Sequence, residues 1–487
     1  MALITREMYF QSLKAMRPNI YKFGEKIEDV TSHWATKRVV ENHARGIGAA
    51  HDPEYSQLFT TMSGLTGETI HRHNSLMACS EDMINNARMK RAMYHMTGTC
   101  SGGLCAGWNA FNVMWAVTWE QDRKGGTNYQ QRLKNWILHA QEKGLVVAGA
   151  LTDAKGNRSL KASRQEDPDV NVRVVEKRED GIVVRGAKHM IAGAAASNEI
   201  FLIPGAGYGE GEEDYAVSFV VPRDIEGLTL VEARHPSDER EFRDDLDVPG
   251  ITGITQGFLY FDNVFVPWER VFLCGEVEYT RKIIQFFTAN YRACIGACVA
   301  GQGDVMVGAA ALTARSNGLS ARTFGDKIVQ MAVNNETTYG LGIGAIAMGL
   351  AHPSGSWVAD SLLAHTNKIH VATLPYETKR LCQEIGGGIV ETGCLPSARD
   401  FFSPEYGETI RKYLKAGPVS AESRVRASRL SEWLTIGGGV PGCMHGGGSP
   451  DGARLVIRSL TTVDKFAELA RSLAGIQEAI PEPEKKK

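Results

Sequence analysis

The hydrophobic periodicity of the chain changes twice, near Gly144 and again after Pro267. Before Gly144, apolar residues recur three and four apart in PEYSQLFTTM, SEDMINNARMKRAMYHMTG and NYQQRLKNWILHAQEKG, a spacing typical of amphipathic helices. Between the two points, short β-rich runs are separated by Gly, Asp and Pro, and EKREDGIVVRG has the Asp-Gly turn of a hairpin. After Pro267, long helical patterns with short connections return, which favours an antiparallel bundle. The sequence therefore predicts an α+β chain with a helical domain at 1–145, a central β domain at 146–275 and a helical bundle at 276–487.

Composition limits the class of protein. The 487 residues exceed a single core, and 43% hydrophobic with 23% charged residues is ordinary for soluble globular proteins. A net charge of −2 predicts neither a nucleic-acid nor an acidic-membrane partner. We expect no membrane span and no signal peptide, since charged residues interrupt the apolar runs, including MALITREMYFQSL at the start. Nine cysteines, an odd number, favour a reducing cytoplasm.

Two pairs of cysteines are candidates for metal chemistry. Cys100 and Cys105 lie in the glycine-rich stretch TCSGGLCAG, which we expect to form a loop. Cys294 and Cys298 are four residues apart on a predicted helix, so both thiols leave one face. Four thiolates are a complete ligand set for an iron–sulfur cluster or a structural zinc ion. Disulfides, or small buried residues without a ligand, are the alternatives, and the spacing alone does not choose among them.

Other segments suggest a flat, phosphate-bearing ligand. The turn GALTDAKGNR contains Thr152 and Asp153, which can hydrogen-bond the edge of a heterocycle, and GAKHMIAGAAASN, with Lys188 and Ala192, has small side chains that permit close backbone approach. The glycine-rich CQEIGGG and MHGGGSP can present backbone N–H groups to phosphates. Ordinary turns, tight packing and solvated polar residues are the alternatives. The candidate residues in these two glycine-rich segments are Gln383, Gly387, Gly388 and His445.

The chain resembles the 4-hydroxyphenylacetate 3-hydroxylase superfamily and, within it, the 4-hydroxybutyryl-CoA dehydratase (vinylacetyl-CoA isomerase) family. The similar segments extend almost from end to end and include YKFGEKIEDV, GALTDAKGNR, VEKREDGIVVRGAK, FDNVFVPWERVFLC, GQGDVMVGAAAL, PYETKRLCQEIGGG and MHGGGSP. The resemblance implies an acyl-CoA-dehydrogenase-like fold, FAD between the β domain and the bundle, and a homotetramer. From the small-residue segments and CQEIGGG we predict that FAD stacks against the β domain and that Gln383, Gly387 and Gly388 contact the flavin of a neighbouring subunit.

The dehydratase family binds a [4Fe-4S] cluster through three cysteines and one histidine. By resemblance, Cys100 and Cys105 correspond to its first cysteine pair, with one extra residue between them, and Cys298 corresponds to its third cysteine. Tyr291 stands in the position of the histidine, and Cys294 on the neighbouring helical face is the alternative fourth ligand. We therefore predict a cluster held by four cysteines, with Cys294 favoured over Tyr291.

The family's acid–base residues are changed in this chain. Its catalytic tyrosine corresponds to Ile295, its lysine to Val299, and its two glutamates to Gln256 and Gly442. The hydroxylase branch is matched at LPSARDF and at Arg91 and Tyr94, which resemble its substrate-binding pair, but Gly149 stands where that branch has a histidine. The alternative to a substrate-binding role is that Arg91 is an ordinary exposed arginine on an amphipathic helix.

Three hypotheses about function follow. The first is a flavin and iron–sulfur enzyme that eliminates or isomerises a small acyl-CoA-like substrate. The second is an FADH2-dependent hydroxylase of an aromatic acid, supplied by a separate flavin reductase. The third is a non-catalytic homologue. We favour the first because a plain flavin monooxygenase has no use for four converging thiols. The candidate catalytic residues are Arg91, Tyr94, Tyr291 and Gln256.

Overall fold

Helices dominate the amino-terminal part of the protein, as the sequence predicts. The structure is a computed structural model that describes residues 3–100, 102–235, 238, 240, 246–415, 417–436, 445–478 and 480. Gly98 and Gly144 end two of the predicted helices with φ of 66° and 58°, a conformation that glycine adopts at little cost. The helices of this part are α1 (Arg6–Lys14), α2 (Lys37–Ala49), α3 (Ser56–Phe59), α4 (Ser80–Thr97), α5 (Gly103–Gly125) and α6 (Tyr129–Lys143).

Two details of the amino-terminal prediction are wrong. Within PEYSQLFTTM only α3 is helical, because the β-branched residues that follow form β3 (Thr60–Met62), which pairs with β4 (Thr69–His71). Cys105 lies in the first turns of α5 and not in a loop. Gly107 of α5 touches the backbone of Val147 with no room for a Cβ atom, so close packing overrides the low helix propensity of this glycine-rich stretch.

Strands follow α6, in the region where the sequence predicts them. Arg173–Lys177 and Gly181–Ala192 form the predicted hairpin. Two short strands of the amino-terminal part, β1 (Ile20–Lys22) and β2 (Glu25–Ile27), also join this region, which the sequence analysis did not predict. The other strands are β5 (Val147–Ala150), β6 (Arg173–Lys177), β7 (Gly181–Ala192), β8 (Glu199–Leu202), β9 (Val217–Pro222), β10 (Leu228–Glu232), β11 (Gln256–Pro267) and β12 (Val271–Cys274).

These strands form two sheets that pack face to face. The strand order is β2-β1-β10-β11-β7-β6 in the larger sheet and β12-β9-β8-β5 in the smaller. Val184, Leu230 and Val264 of the larger sheet share one apolar core with Ile200 and Phe219 of the smaller sheet. A sandwich of this kind buries one face of each sheet and leaves the other face for helices or ligands.

The carboxy-terminal part is built on one helix of 40 residues, α7 (Val277–Ser316). Gly296 and Gly303 of α7 contact α8 (Gly325–Ala347) at Thr338 and Asn335, with no space for a Cβ atom at either glycine. By length and composition α7 resembles a membrane span, but 67% of its most apolar window is buried, as in the core helix of a soluble protein. The remaining elements are β13 (Leu350–Ala351), β14 (Trp357–Val358), α9 (Ser361–Val371), α10 (Leu374–Gly386), α11 (Gly388–Glu391), α12 (Ala398–Phe401), α13 (Gly407–Leu414), α14 (Ala421–Thr435), α15 (Pro450–Leu460) and α16 (Val463–Leu473).

The order of helices, strands and helices agrees with the predicted α+β class. The expected limits near residues 145 and 275 fall between α6 and β5 and between β12 and α7. Because β1 and β2 pair into the larger sheet, the first part is not purely helical, and the division into three domains stays a prediction.

Candidate active site

The four cysteines singled out in the sequence come together in the interior. Cys105, Cys294 and Cys298 are buried, Cys100 is partly buried, and all four are free thiols. The Cys298 thiol interacts with Cys100, and Cys105 and Cys294 both interact with Cys298. The loop between α4 and α5 and one face of α7 therefore meet at a single group of thiols.

Three of these thiols, Cys105, Cys294 and Cys298, favour their protonated forms in the metal-free protein. Burial raises the pKa of Cys294 to about 11 and raises that of Cys105 as well. A hydrogen bond with Cys100, together with burial, holds the pKa of Cys298 well above its usual value. Metal binding here must displace these protons, because the thiolate is the ligand.

A buried lysine that the sequence analysis missed faces the same group. Lys90 of α4 is 1% exposed. Burial disfavours its charged form, whereas Cys105, Cys294 and Cys298 favour that form when they are ionised, and the pKa of Lys90 is raised. Its Nζ is near the Cys105 thiol, yet it has no hydrogen-bond partner of good geometry among the described residues. A buried ammonium of this kind is costly unless an anion accompanies it.

The sequence contained a signal for Lys90. It lies on the apolar stripe of α4 with Met83, Ala87, Met93 and Tyr94, which are all buried. A lysine in such a stripe is rarely buried without a partner. The sequence analysis predicts the apolar face of α4 but does not single out Lys90, the charged residue on it.

Tyr291 forms the edge of an apolar surface beside the thiols. Its ring lies 5.5 Å from Nζ of Lys90, measured to the ring centroid, and stacks on Phe287. Ile295 and Val299, further along α7, pack with Val371 next to Tyr291. The side of α7 next to Tyr291 is therefore apolar at Ile295 and Val299.

The carboxy-terminal glycine segment reaches the same part of α7. Arg292 donates to the carbonyl oxygen of Gly447 at 2.9 Å, and Lys368 donates to that of Gly446 at 2.6 Å. A Cβ atom on Gly447 would lie 2.7 Å from the Tyr291 ring. His445 is exposed at the start of this segment, whereas Gly442 lies outside the described residues.

Three of the predicted flavin residues, Thr152, Asp153 and Lys188, make contacts within the β domain. Asp153 and Lys188 form a buried ion pair of 2.7 Å, and Lys188 also donates to the carbonyl oxygen of Leu151. Burial lowers the pKa of Lys188. The carbonyl oxygen of Thr152 accepts from the backbone N–H of His189 at 2.8 Å.

Ala192 and Gln256 lie at the end of the sheet that approaches the thiols. They are paired across β7 and β11, and Gln256 is exposed. A Cβ atom on Gly102 would lie 3.6 Å from that of Ala192, so the Cys100 loop packs directly on this sheet end.

Gln383, Gly387 and Gly388 lie elsewhere on this chain. Helix α10, which contains Gln383 and ends just before Gly387, packs through Leu381 and Ile385 in one apolar cluster with Met306 and Ala310 of α7, beyond the thiols. Gly387 has φ of 70° and Gly388 is exposed, and no atom lies within 4 Å of a Cβ at either position. A role toward a neighbouring subunit's flavin stays a prediction.

Arg91 points away from the thiols, unlike the adjacent Lys90. Its guanidinium binds the carboxylate of Asp304 at 2.7 and 2.9 Å and that of Glu336 at 2.5 Å, and it lies over the Tyr339 ring. Tyr94 is fully buried, one turn after Lys90. Lys90 and Tyr94, not Arg91 and Tyr94, thus share the interior face.

The side chains around the four thiols can be compared with the ligands that an iron–sulfur cluster requires. Within the part of the chain that the structure describes, no three His, Cys, Asp or Glu side chains are positioned as they stand to hold one metal ion. The four thiols and the buried Lys90 ammonium nevertheless suit an anionic, thiolate-bound group. This donor set fits an iron–sulfur cluster in its chemistry, and the cluster itself stays a prediction.

Comparison with known proteins gives consistent matches along the chain. A family model for the 4-hydroxyphenylacetate 3-hydroxylase N terminal region matches residues 5–273, and one for the C terminal region matches 280–475. Over 98% of its length, the chain is 38% identical to the whole 4-hydroxybutyryl-CoA dehydratase/vinylacetyl-CoA-Delta-isomerase of Clostridium aminobutyricum. It is 28% identical, over 88% of each chain, to the 4-hydroxyphenylacetate 3-monooxygenase oxygenase component of Thermus thermophilus.

Solved structures agree with these matches. An oxygen-tolerant archaeal 4-hydroxybutyryl-CoA dehydratase from N. maritimus superposes with a TM-score of 0.94 and 34% identity, covering 100% of this chain and 98% of that one. The oxygenase component HpaB of 4-hydroxyphenylacetate 3-monooxygenase, complexed with FAD, gives a TM-score of 0.81 over 96% of this chain and 98% of that one. At 24% identity the second match shows the fold alone.

Proposed function

Because the chain belongs to the 4-hydroxyphenylacetate 3-hydroxylase family, as its sequence predicts, we propose that it is an enzyme that binds FAD and a [4Fe-4S] cluster. Its substrate is an acyl-CoA thioester, and its reaction is an elimination or an isomerisation. The name of the C. aminobutyricum relative supports this reaction class. The observation that carries the proposal is the group of four converging thiols, three of which interact with the buried Lys90.

In this proposal Cys100, Cys105, Cys294 and Cys298 bind the cluster. We favour Cys294 over Tyr291 because a thiolate suits a sulfide cluster better than a phenolate does. When bound, the cluster supplies a Lewis acid for a substrate oxygen if one iron accepts a further ligand, or an electron carrier if it does not. Lys90 compensates negative charge on the ligands, which lowers the free energy needed to deprotonate the buried thiols.

The other side chains shape the reaction space. Ile295, Val299 and Val371 exclude water from the side of α7 next to Tyr291. Gln256, in the position of a family glutamate, can orient a polar group but cannot exchange a proton at neutral pH. Proton transfer in this enzyme therefore differs from that of the dehydratase family. Tyr291 Oη and Lys90 Nζ are the groups that hold exchangeable protons beside the thiols.

FAD lies between the β domain and the bundle in this proposal. Ala192 and Gln256 mark the sheet end next to the thiol loop, and Thr152, Asp153 and Lys188 stabilise the neighbouring turn. Gln383, Gly387 and Gly388 contact the flavin of another subunit in a homotetramer. His445 contributes from the glycine segment that packs on Tyr291.

A second candidate is an FADH2-dependent hydroxylase of an aromatic acid, which would need a separate flavin reductase. The interior pair Lys90 and Tyr94, next to the apolar surface of Ile295 and Val299, could hold a phenolate against an aromatic ring. This arrangement leaves Cys294 and Cys298 without a role, so it ranks second.

The deciding experiment is anaerobic purification followed by iron, sulfide and flavin analysis. We expect broad absorption near roughly 400 nm and about four iron and four sulfide per chain. A flavin spectrum without iron would refute the cluster and favour the hydroxylase.

Cysteine variants test the ligand set. Cys298→Ser should abolish iron binding, Cys294→Ser should remove nearly all of it, and Tyr291→Phe should retain it. Cys382→Ser is the matched control, because Cys382 is a buried thiol that packs on the Met306 part of α7. Retention of a full cluster in both the Cys294 and Cys298 variants would show that these thiols are ordinary core residues.

A further inference from the structure

A large cavity lies next to the loop between α4 and α5 that carries Cys100. Its volume is about 530 Å³, within the range of small-molecule sites. One wall is formed by α2 and the residues just before it, with Trp34, Lys37, Arg38 and Arg45, and the opposite wall is the segment 249–255.

The cavity wall is joined directly to the loop that carries Cys100. Asn42, one turn after Arg38 on α2, donates to the carbonyl oxygen of Cys100 at 3.0 Å. The backbone N–H of Thr252 donates to the carbonyl oxygen of Thr97 at 2.9 Å, and Ile254 packs on Gly102. Arg38 and Asn42 are about 6 Å apart along the helix axis, so the cavity and the thiol loop are neighbours.

Positive charge predominates in this wall. Lys37 is exposed, and Arg38 donates to the carbonyl oxygen of Ile251. The single acid of this part of α2, Glu41, is already bound by Arg6 at 2.9 Å and by Arg45 at 3.3 Å. The first turn of α2 has no acidic residue and no side-chain cap, which leaves the positive end of the helix dipole uncompensated. The other charged lining residues are already paired, Asp238 with Lys22 and Arg240 with Asp247 and Glu432, so the wall of α2 favours an anionic ligand.

An exposed aromatic pair stands at the edge of the cavity. Trp34 lines it, and the Phe23 ring stacks on Trp34 with centroids 5.9 Å apart and planes at 13°. Phe23 is 60% exposed and has φ of 52°, in the turn between β1 and β2 where glycine or asparagine is usual. A large exposed side chain in such strained backbone is a common mark of a binding site.

We propose that this cavity binds the adenine nucleotide part of a coenzyme A thioester. Lys37 and Arg38 hold its phosphate groups, and the Phe23–Trp34 pair provides the stacking surface for adenine. The extended arm of the thioester then leads past the Cys100 loop toward the thiols. This inference rests on the acyl-CoA substrate of the proposed function.

The experiment is a binding titration of the FAD-loaded enzyme with coenzyme A and with adenosine 3′,5′-bisphosphate, which lacks the reactive arm. The variants are Trp34→Ala and Lys37→Gln, both at exposed positions where folding is not at risk. Each should weaken the binding of both probes by about fivefold to tenfold, since a charge-assisted contact or a stacked ring is lost. Binding to the wild type should also weaken as salt is raised from roughly 50 to 200 mM. Lys124→Gln, an exposed lysine at the end of α5, is the matched control and should bind normally.

The outcomes separate this inference from the proposed function. If the wild type binds coenzyme A and both variants bind it equally well, the nucleotide site lies elsewhere and the proposed substrate class stands. If the variants lose FAD instead, the cavity belongs to the flavin and the inference is overturned. If the wild type binds neither probe, both the cavity assignment and the acyl-CoA substrate are wrong.

Discussion

Glu232, at the end of β10, carries a carboxyl group whose ionisation opposes folding. Its side chain is buried, and burial raises its pKa from 4.5 to about 7. Thr255, Lys22 and Arg223 lower the pKa and Asp238 raises it, but all these effects are smaller than that of burial. The substitution Glu232→Gln keeps the shape of the side chain and removes its charge.

The pKa difference fixes the magnitude and the sign of the effect. A carboxyl group that holds its proton more tightly in the folded protein destabilises the fold progressively as the pH rises from about 4.5 to 7 and beyond. With pKa values of 4.5 and about 7, the penalty is about 1 kcal/mol at pH 5.5 and about 3 kcal/mol at pH 8. Glu232→Gln should therefore stabilise the protein, and by about 2 kcal/mol more at pH 8 than at pH 5.5.

Melting temperatures at the two pH values measure this difference. For a chain of this length the entropy of unfolding is about 1 kcal/mol per kelvin, so the variant should melt about 3 °C above the wild type at pH 8 and about 1 °C above it at pH 5.5. Glu25→Gln, an exposed glutamate in β2, loses the same charge and should show no such pH dependence. An equal shift at both pH values, or a shift of opposite sign at pH 8, would refute the argument from burial.

Three further substitutions test the site. Lys90→Met should reduce iron content by more than about half, because the cation that favours ionised thiols at Cys105 and Cys294 is removed; iron content equal to that of the wild type would contradict this. Arg91→Ala should lower the melting temperature by about 1–2 °C and change KM by less than about twofold, since its guanidinium is bound by carboxylates; a large rise in KM without loss of stability would return Arg91 to the substrate site. Gly387→Val should lower the flavin content, measured by absorbance, and weaken the oligomer, measured by size-exclusion chromatography. Gly393→Val, at a glycine with the similar φ of 64°, is the control and should keep both the flavin and the oligomer. Full flavin occupancy in the Gly387 variant would count against a role of Gly387 in flavin binding.

Long periodic segments of the fold could be predicted from the sequence, and short strands could not. α7 and the hairpin of β6 and β7 follow from spacing and from an Asp-Gly turn, which are local properties. β1 and β2 are three residues each, and β1 joins the sheet by pairing with β10, some 200 residues away in the chain. No local pattern encodes such a partner. The start of α5 was missed for the related reason that contact with β5, and not helix propensity, selects its glycines.

In the candidate site, too, local sequence patterns do not predict which way a single side chain points. The convergence of the four thiols was predicted from two local spacings and a family resemblance. Lys90 and Arg91 are adjacent, and the direction of each side chain depends on the rotation of α4 against α7 and α8. Asp304 and Glu336 on those helices hold Arg91 outward, and this contact is visible only in three dimensions.

The glycine contacts between α7 and α8 bear on how a fold like this can acquire a new reaction. Gly296 and Gly303 hold α7 in one position, and Cys294 and Cys298 lie about half a turn around the helix from them. Tyr291, Ile295 and Val299 occupy the sector between, where side chains can be exchanged without moving the backbone that carries the thiols. Evolution could therefore replace side chains at these three places while keeping the arrangement of the thiols intact. A laboratory effort to convert one activity into another should begin with the same three positions and leave both glycines untouched.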